Sequence, residues 1–165
     1  MTDTVTTPAI TEAAVVEALR DVYDPEIPNL SLVDLGIYRG VQITPEGLTV
    51  TITPTFVGCP ALDYMREQVA EKLTDLWPGT PVTVQVSLAQ PWTSGQITEE
   101  GRKRLKAAGF APPPRGNLIR LEPLVACPYC NSRNTLLENA FGPTQCRAIY
   151  YCKACRQPFE QFKAV

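Results

Sequence analysis

Four cysteines near the C-terminus constrain the fold of this 165-residue chain more than any other feature of its sequence. Cys127, Cys130, Cys152 and Cys155 form two Cys-x-x-Cys pairs, and the segment between the pairs is long enough for a β-hairpin. Two thiolates spaced in this way can take adjacent corners of a tetrahedron, with each sulfur about 2.3 Å from the metal. The pattern therefore predicts a zinc ribbon in which a closed four-thiolate shell holds a structural metal.

Histidine is absent from the sequence. Its absence excludes the usual histidine-rich catalytic zinc centre and every Ser-His or Cys-His nucleophile pair. The same four thiolates are also typical of rubredoxin-like iron or an iron–sulfur centre, and of redox or disulfide chemistry. Spacing alone leaves iron as an alternative to zinc.

The six cysteines would suit three disulfides in a secreted protein. The N-terminal segment, however, has neither the basic start nor the apolar core of a signal peptide, and no apolar run is long enough to span a membrane. We therefore expect a cytoplasmic protein without a membrane partner, in which paired cysteines bind metal.

Composition along the chain predicts an α+β fold, in which a small sheet with packed helices is followed by a zinc-ribbon β module. The expected boundaries are a flexible leader at 1–9, an α+β domain at 10–109, a proline-rich linker at 110–116 and the ribbon at 117–165. The tail is too short to build a core of its own, so it needs a metal or a disulfide to fold.

Periodicity and turn residues predict the individual elements. The expected helices are Ile10–Val22, Ala61–Trp77 and Thr98–Ala108, with Thr11 as an N-cap. The expected strands of the first domain are Ile37–Ile43, Leu48–Thr53 and Pro81–Leu88, the first two joined as a hairpin. Asp24–Leu35 is expected to be an ordered loop. Strand-like pieces of the tail are Leu118–Val125, Thr135–Glu138, Cys146–Tyr151 and Phe159–Phe162.

Charge is divided unevenly, with a formal net charge of −6 up to Phe110 and +4 from Ala111 onward. A basic ribbon that also carries tyrosines and phenylalanines is compatible with a nucleic-acid-binding module. The seven basic residues of the tail are not clustered, however, and its aromatic side chains are sufficient to fill a small core. Nucleic-acid binding is therefore only a third hypothesis.

Cys59 lies at the predicted start of the Ala61–Trp77 helix, where backbone N–H groups and the helix dipole are expected to stabilise a thiolate. Asp24 and Glu26 precede the first predicted strand, so all three side chains are expected at one edge of a compact sheet. Together they would bind or relay a soft metal. The alternative is a structural cysteine in a turn, with Asp24 as a loop cap.

Cys146 is a fifth thiol in the tail, outside the two pairs. One interpretation is a small buried apolar residue in a strand. The others are a ligand that exchanges with one of the four ribbon cysteines, or a thiol that acts with Cys59. Arg147 would lower its pKa if the two side chains meet.

Several of these segments resemble known families. Asp24–Ile27, Ser31–Ile37 and Thr53–Pro60 resemble the SufT/MIP18-type iron–sulfur assembly factors. The tail is similar to the PaaD (PaaJ) family of accessory subunits of the ring 1,2-phenylacetyl-CoA epoxidase system. The tail segments that carry this second resemblance are Cys127–Cys130, Phe141–Arg147, Tyr150–Cys152 and Cys155–Lys163.

The resemblance implies a non-catalytic accessory or maturation factor in aerobic phenylacetate breakdown. It implies a structural zinc, and a transient iron or iron–sulfur cargo at Cys59, Asp24 and Glu26. Its expected partners are the oxygenase and reductase subunits of the epoxidase, and pairing of two copies is left open. The rival hypothesis is a structural docking subunit that handles no metal. The role of Cys146 is not implied by the resemblance.

Overall fold

The chain forms two sheets, one from its first part and one mostly from its tail. The computed structural model describes residues 9–27, 29–114 and 125–164. The first sheet has three strands with helices beside it, and the second has four strands. The α+β class predicted from the sequence is confirmed.

The first sheet begins with the predicted hairpin. Strands β1 (Tyr38–Thr44) and β2 (Gly47–Ile52) pair antiparallel, and β3 (Val82–Val86) pairs with β2 in parallel. Gly47 has a φ of 149°, and a Cβ there would collide with the Pro81 carbonyl oxygen. The tight turn therefore needs glycine because the chain entering β3 passes directly beside it.

Three helices accompany this sheet: α1 (Glu12–Leu19), α2 (Leu62–Leu76) and α3 (Glu99–Ala107). All three were predicted, and each is slightly shorter than its apolar pattern suggested. Thr11 is the expected N-cap of α1, since its hydroxyl accepts a hydrogen bond of 3.1 Å from the backbone N–H of Ala14.

Helix α2 connects β2 to the parallel strand β3, as parallel pairing requires a crossover. Its inner face carries Met65, Val69 and Leu73, at helical spacing and fully buried. Burying each of these side chains stabilises the fold by about 1.5–3 kcal/mol. Helix α2, which begins three residues after Cys59, is therefore anchored on the core of the first part.

The chain from Asp24 to Leu35 is the ordered loop that was expected. Its apolar residues Leu30, Leu32 and Leu35 are fully buried. The backbone N–H of Leu32 donates to the Val22 carbonyl at 2.9 Å. The loop is thus part of the core, and it holds the Asp24 end in a defined position.

The second sheet has the order β4-β7-β6-β5. Its strands are β4 (Phe110–Ala111), β5 (Thr135–Asn139), β6 (Arg147–Cys152) and β7 (Pro158–Phe162). Strands β5, β6 and β7 pair antiparallel, and they match the three tail strands predicted after residue 130. The fourth predicted strand, Leu118–Val125, lies outside the described residues except for Val125.

Strand β4 belongs to the stretch that was predicted as linker. It pairs in parallel with β7, so the chain adds a short edge strand to the ribbon well before the first cysteine turn. A two-residue strand carries too little local pattern to be recognised in sequence. The domain boundaries themselves stay a prediction.

The last strand of the ribbon packs into the core of the first part of the chain. Phe162 is 1% exposed and belongs to that core. Its ring meets Trp92 edge to face, with centroids 5.8 Å apart. The Trp92 indole N–H donates to the Leu35 carbonyl at 2.9 Å. The ribbon and the first part of the chain are therefore held together by apolar contacts.

Candidate metal-binding sites

The four cysteines of the two Cys-x-x-Cys pairs form one cluster. Their sulfur atoms all lie within 4.8 Å of one another. The Cys127 and Cys155 sulfurs are 3.7 Å apart, and those of Cys130 and Cys152 are 3.6 Å apart. Tetrahedral thiolates about 2.3 Å from a zinc ion would have sulfurs about 3.8 Å apart. The donor set therefore fits a zinc ion in both number and spacing.

The two cysteine turns have the same backbone pattern. In the first, the Cys127 N–H donates to the Ser132 carbonyl and the Asn131 N–H donates to the Cys127 carbonyl, both at 2.9 Å. In the second, Cys152 and Arg156 make the corresponding pair of bonds. Asn131 and Arg156 both have a left-handed backbone, with φ of 62° and 61°. This repetition explains how two short sequences present their thiols in the same way.

Two thiols of the cluster differ strongly in pKa. The backbone N–H of Cys155 is the main cause that lowers the pKa of Cys152 to about 7. Burial, followed by hydrogen bonds with the other three thiols, raises the pKa of Cys155 to about 12. Four crowded thiols do not all ionise by themselves, so a cation is needed to hold them as thiolates. This is the expected chemistry of a metal site.

A second pocket lies between the two parts of the chain. It is lined by groups from the Asp24 loop, from the segment before α2 and from the turn before β6. The groups with chemistry among its lining residues are Asp24, Glu26, Cys59, Cys146 and Arg147. The structure thus brings Asp24, Glu26 and Cys59 together, as expected, and adds Cys146 and Arg147 from the ribbon.

Asp24 caps its own loop. Its Oδ1 atom accepts hydrogen bonds from the backbone N–H groups of Glu26 at 2.8 Å and Ile27 at 3.0 Å. Burial raises the pKa of Asp24, although these two N–H groups act in the opposite direction. The loop-cap role is therefore real, and the second carboxylate oxygen is outside these two bonds.

Cys59 corrects one expectation. It lies just before α2, and the backbone N–H of Ala61 does favour its thiolate. Burial is the larger effect, however, and the negative charges of Asp24 and Glu26 add to it, so the pKa of Cys59 is raised. The prediction of a stabilised thiolate was wrong. It considered only the helix N-terminus, whereas the folded chain also buries Cys59 and places it near two carboxylates, and both of these effects disfavour the thiolate.

Cys146 lies just before β6, not inside the strand, and it is only partly buried. Its sulfur is 3.1 Å from the Thr144 hydroxyl oxygen. Burial raises the pKa of Cys146, while Thr144 and Arg147 lower it to a smaller extent. Arg147 therefore acts in the expected direction without deciding the result.

The turn that presents Cys146 depends on close packing. The Gly142 N–H donates to the Arg147 carbonyl at 3.0 Å, and the Arg147 N–H donates to the Thr144 carbonyl at 3.1 Å. A Cβ on Gly142 would lie 2.9 Å from the Arg147 Cβ, so glycine permits this approach. The result is a fixed turn that directs Cys146 and Arg147 to the first part of the chain.

The contacts of Arg147 are what sequence reasoning missed. Its side chain is 8% exposed, and it pairs with Glu26 at 3.1 Å and with Glu160 at 3.2 Å. It also donates to the Glu26 carbonyl at 3.1 Å and lies over the Phe110 ring, 4.9 Å from the centroid. No local sequence signal marks a contact with Glu26, which is 121 residues away.

The ribbon cysteines and the side chains of the second pocket differ in how closely their candidate ligand atoms are packed. Among residues 9–27, 29–114 and 125–164, only the ribbon cysteines form a group of three or more candidate ligands packed this closely. The ligand atoms of the second pocket face a shared space without forming such a cage. The roles of Cys59, Asp24, Glu26 and Cys146 therefore stay predictions.

Comparison with family models agrees with this two-part architecture. Residues 12–86 match an iron–sulfur cluster assembly protein family, and residues 111–163 match the PaaD zinc beta ribbon domain. The fold and the cysteine cluster thus define an assembly-factor-type α+β domain followed by a zinc ribbon with a structural zinc.

Individual relatives extend this match. The chain is 40% identical over 148 residues to a putative subunit of the 1,2-phenylacetyl-CoA epoxidase of Escherichia coli K12, covering 89% of each chain. It is 35% identical to an Fe-S protein maturation auxiliary factor of Porphyromonas gingivalis, over 58% of this chain and 90% of that protein. The chain belongs to the PaaD family.

A solved structure supports the fold of the first part. The crystal structure of a DUF59 domain of unknown function from Bacillus anthracis superposes with a TM-score of 0.53 at 25% identity. The match covers 57% of this chain and 90% of that one. In the part of the chain that the structure describes, no helix has the length and apolar character needed to cross a membrane.

Proposed function

We propose that this protein is an accessory maturation factor for the phenylacetyl-CoA epoxidase, which assists assembly of an iron or iron–sulfur centre in the oxygenase or reductase subunit. The observation that carries the proposal is the single pocket that Cys59, Asp24 and Glu26 line together. The similarity to an epoxidase subunit and to iron–sulfur maturation factors supports it. We place this work in the cytoplasm, where thiols stay reduced.

In this proposal the four ribbon cysteines are the zinc ligands. Their closed shell leaves no position open for substrate, so the zinc supplies folding energy and not chemistry. The match to a zinc ribbon favours zinc over iron at these thiols. The ribbon keeps Arg147 and Phe162 in position against the first part of the chain, and this fixes the geometry of the second pocket.

The second pocket holds the cargo. The Cys59 thiol supplies a soft sulfur donor, and the carboxylates of Asp24 and Glu26 supply oxygen donors for iron. Burial raises the pKa of Cys59, so the metal-free site holds a neutral thiol that gives up its proton only when a cation arrives. Such a site binds transiently, as a donor of metal to a client must.

Replacement of Cys59 tests this function. The chain, as wild type or Cys59→Ser, is produced together with the oxygenase and reductase subunits, and the iron content of each purified client is measured. Tyr64→Phe, an exposed residue in the first turn of α2, is the matched control. We expect Cys59→Ser to lower client iron severalfold with the chain still folded, and Tyr64→Phe to leave it unchanged.

Client iron that stays normal with Cys59→Ser would instead support a docking subunit that handles no metal. One observation favours that second candidate, since Glu26 is already engaged in an ion pair with Arg147 and Asp24 in capping its loop. In that case the epoxidase subunits would co-purify with the Cys59→Ser chain as well as with wild type, while loss of the ribbon zinc would abolish the complex.

A further inference from the structure

Cys146 is a thiol that the ribbon metal site does not use. The other five cysteines are divided between the ribbon cluster and Cys59, and Cys146 lines the same pocket as Cys59. The two thiols come from opposite parts of the chain, 87 positions apart in sequence. The two thiols also interact electrostatically. Burial is the main cause that raises the pKa of Cys59, and the negative charge of an ionised Cys146 adds to it.

The surroundings of Cys146 hold its sulfur in place. The Thr144 hydroxyl lies 3.1 Å from it, and the turn is fixed by the Arg147 backbone bonds described above. The side chain packs against the apolar core of the first part of the chain. It also lines the same pocket as Asp24 and Glu26, and such a mixture of sulfur and oxygen donors is typical of a metal site.

Arg147 adds a second, independent observation. Its side chain is more than nine-tenths buried and lines the pocket, and its Nε atom has no hydrogen-bond partner among the described residues. A buried N–H without a partner is costly. A partner for it would offset that cost, and the guanidinium group to which it belongs lines the pocket in which an anionic metal complex would lie.

The charges point the same way. Burial raises the pKa of both thiols, so both are neutral in the metal-free pocket. Once they ionise to bind metal, two thiolates and two carboxylates beside a single guanidinium would repel one another strongly without a cation among them. A ferrous ion, alone or within a cluster, supplies that positive charge. Arg147 would then compensate the negative charge that remains on the complex, as arginine does beside buried anions.

We propose that Cys146 is a second thiolate ligand for the cargo iron, so that the metal is bound between the assembly-factor part and the ribbon. The inference rests on the proposed function, because it adds a ligand to the Cys59 site. Each thiol gives its proton to solvent as its sulfur bonds the iron, and no electron transfer is involved. The pocket of this chain is then incomplete without its ribbon.

The test is anaerobic iron binding by the full zinc-loaded chain. Ferrous iron alone is titrated in one arm, and ferrous iron with sulfide in the other, with absorption and Mössbauer spectra distinguishing an ion from a cluster. The variants are wild type, Cys59→Ser, Cys146→Ser and the double change. Gln145→Ala, the exposed neighbour of Cys146, is the matched control.

We expect wild type to bind iron in at least one arm. Cys146→Ser should weaken binding at least about tenfold and reduce the sulfur-to-iron absorption, while the zinc stays bound and Gln145→Ala behaves as wild type. Loss of binding with Cys59→Ser but not with Cys146→Ser would overturn the inference and leave the proposed function intact. A wild-type chain that binds no iron in either arm would overturn both.

A second measurement does not depend on the variants folding. Wild-type chain is alkylated with iodoacetamide with and without iron, and the labelled peptides are quantified by mass spectrometry. Iron should protect Cys59 and Cys146 together and to the same extent. Protection of Cys59 alone would contradict the shared site.

Discussion

The ribbon cluster and the pocket between the two parts of the chain use the same side-chain chemistry in opposite ways. The cluster brings four sulfurs within 4.8 Å, each presented by one of two identical backbone turns. The pocket collects two thiols and two carboxylates from three separate segments without forming a cage. A preformed closed shell suits permanent metal, and a loosely assembled one suits metal that must leave.

The two sites also differ in how protons are held. In the cluster, the backbone N–H of Cys155 is the main cause that lowers the pKa of Cys152 to about 7, while burial and the neighbouring thiols raise the pKa of Cys155 to about 12. In the pocket, burial raises the pKa of both Cys59 and Cys146. A thiol that ionises readily competes well for metal at neutral pH, whereas one that stays protonated releases metal more easily.

The largest expected effect follows from breaking the cluster. Cys152→Ser leaves three thiolates, and the ribbon should lose its zinc and unfold, because structural zinc in small domains contributes about 10–16 kcal/mol of apparent binding free energy at pH 7. Zinc content, near-ultraviolet circular dichroism and limited proteolysis measure this. Cys59→Ser is the control and should keep both the zinc and the fold. A folded, protease-resistant ribbon in Cys152→Ser would contradict the structural role of the metal.

The next effect concerns the contact that joins the two sites. Arg147→Ala leaves Glu26 and Glu160 without their buried partner, and we expect a loss of about 1–2 kcal/mol in the free energy of unfolding, because both carboxylates are themselves about one-third exposed. Urea unfolding measures it. Arg133→Ala, an exposed arginine of the same ribbon, should change stability by less than about 0.5 kcal/mol. Equal effects of the two changes would show that the Arg147 ion pairs do not anchor the ribbon.

The smallest effect concerns thiol reactivity. Since the pKa of Cys59 and of Cys146 lies above the ordinary value of 9.0, the thiolate fraction of each at pH 8 is below that of a free cysteine. Alkylation of both in metal-free pockets should therefore be slower than in the urea-unfolded chain, and its rate should still be rising with pH above 9, where the rate in the unfolded chain levels off. Peptide mass spectrometry measures each rate. A faster rate in the folded chain at pH 8 would mean that the start of α2 outweighs burial after all.

The elements with a strong local pattern were predicted well from the sequence. The inner face of α2, with Met65, Val69 and Leu73, repeats at helical spacing, and the β1–β2 hairpin has alternating residues on either side of a turn. The ribbon strands follow from two cysteine turns whose geometry a metal dictates. In each case the information lies within a few neighbouring residues.

What could not be predicted depends on distant contacts. The parallel pairing of β3 with β2, the strand β4 inside the expected linker and the ion pair between Arg147 and Glu26 have no local signature. The predicted direction of the Cys59 pKa shift was wrong for the same reason. Its helix position is visible in the sequence, but its burial beside Asp24 and Glu26 exists only in the folded chain.

Metal analysis of wild type and Cys59→Ser, purified without oxygen, tests the difference between the two sites most directly. We predict one zinc per chain in both proteins, and iron below one per chain that is present in wild type and lost in the variant. One zinc and no iron in either protein, even after exposure to ferrous iron and sulfide, would contradict the cargo site and leave Cys59 as a structural cysteine in a turn.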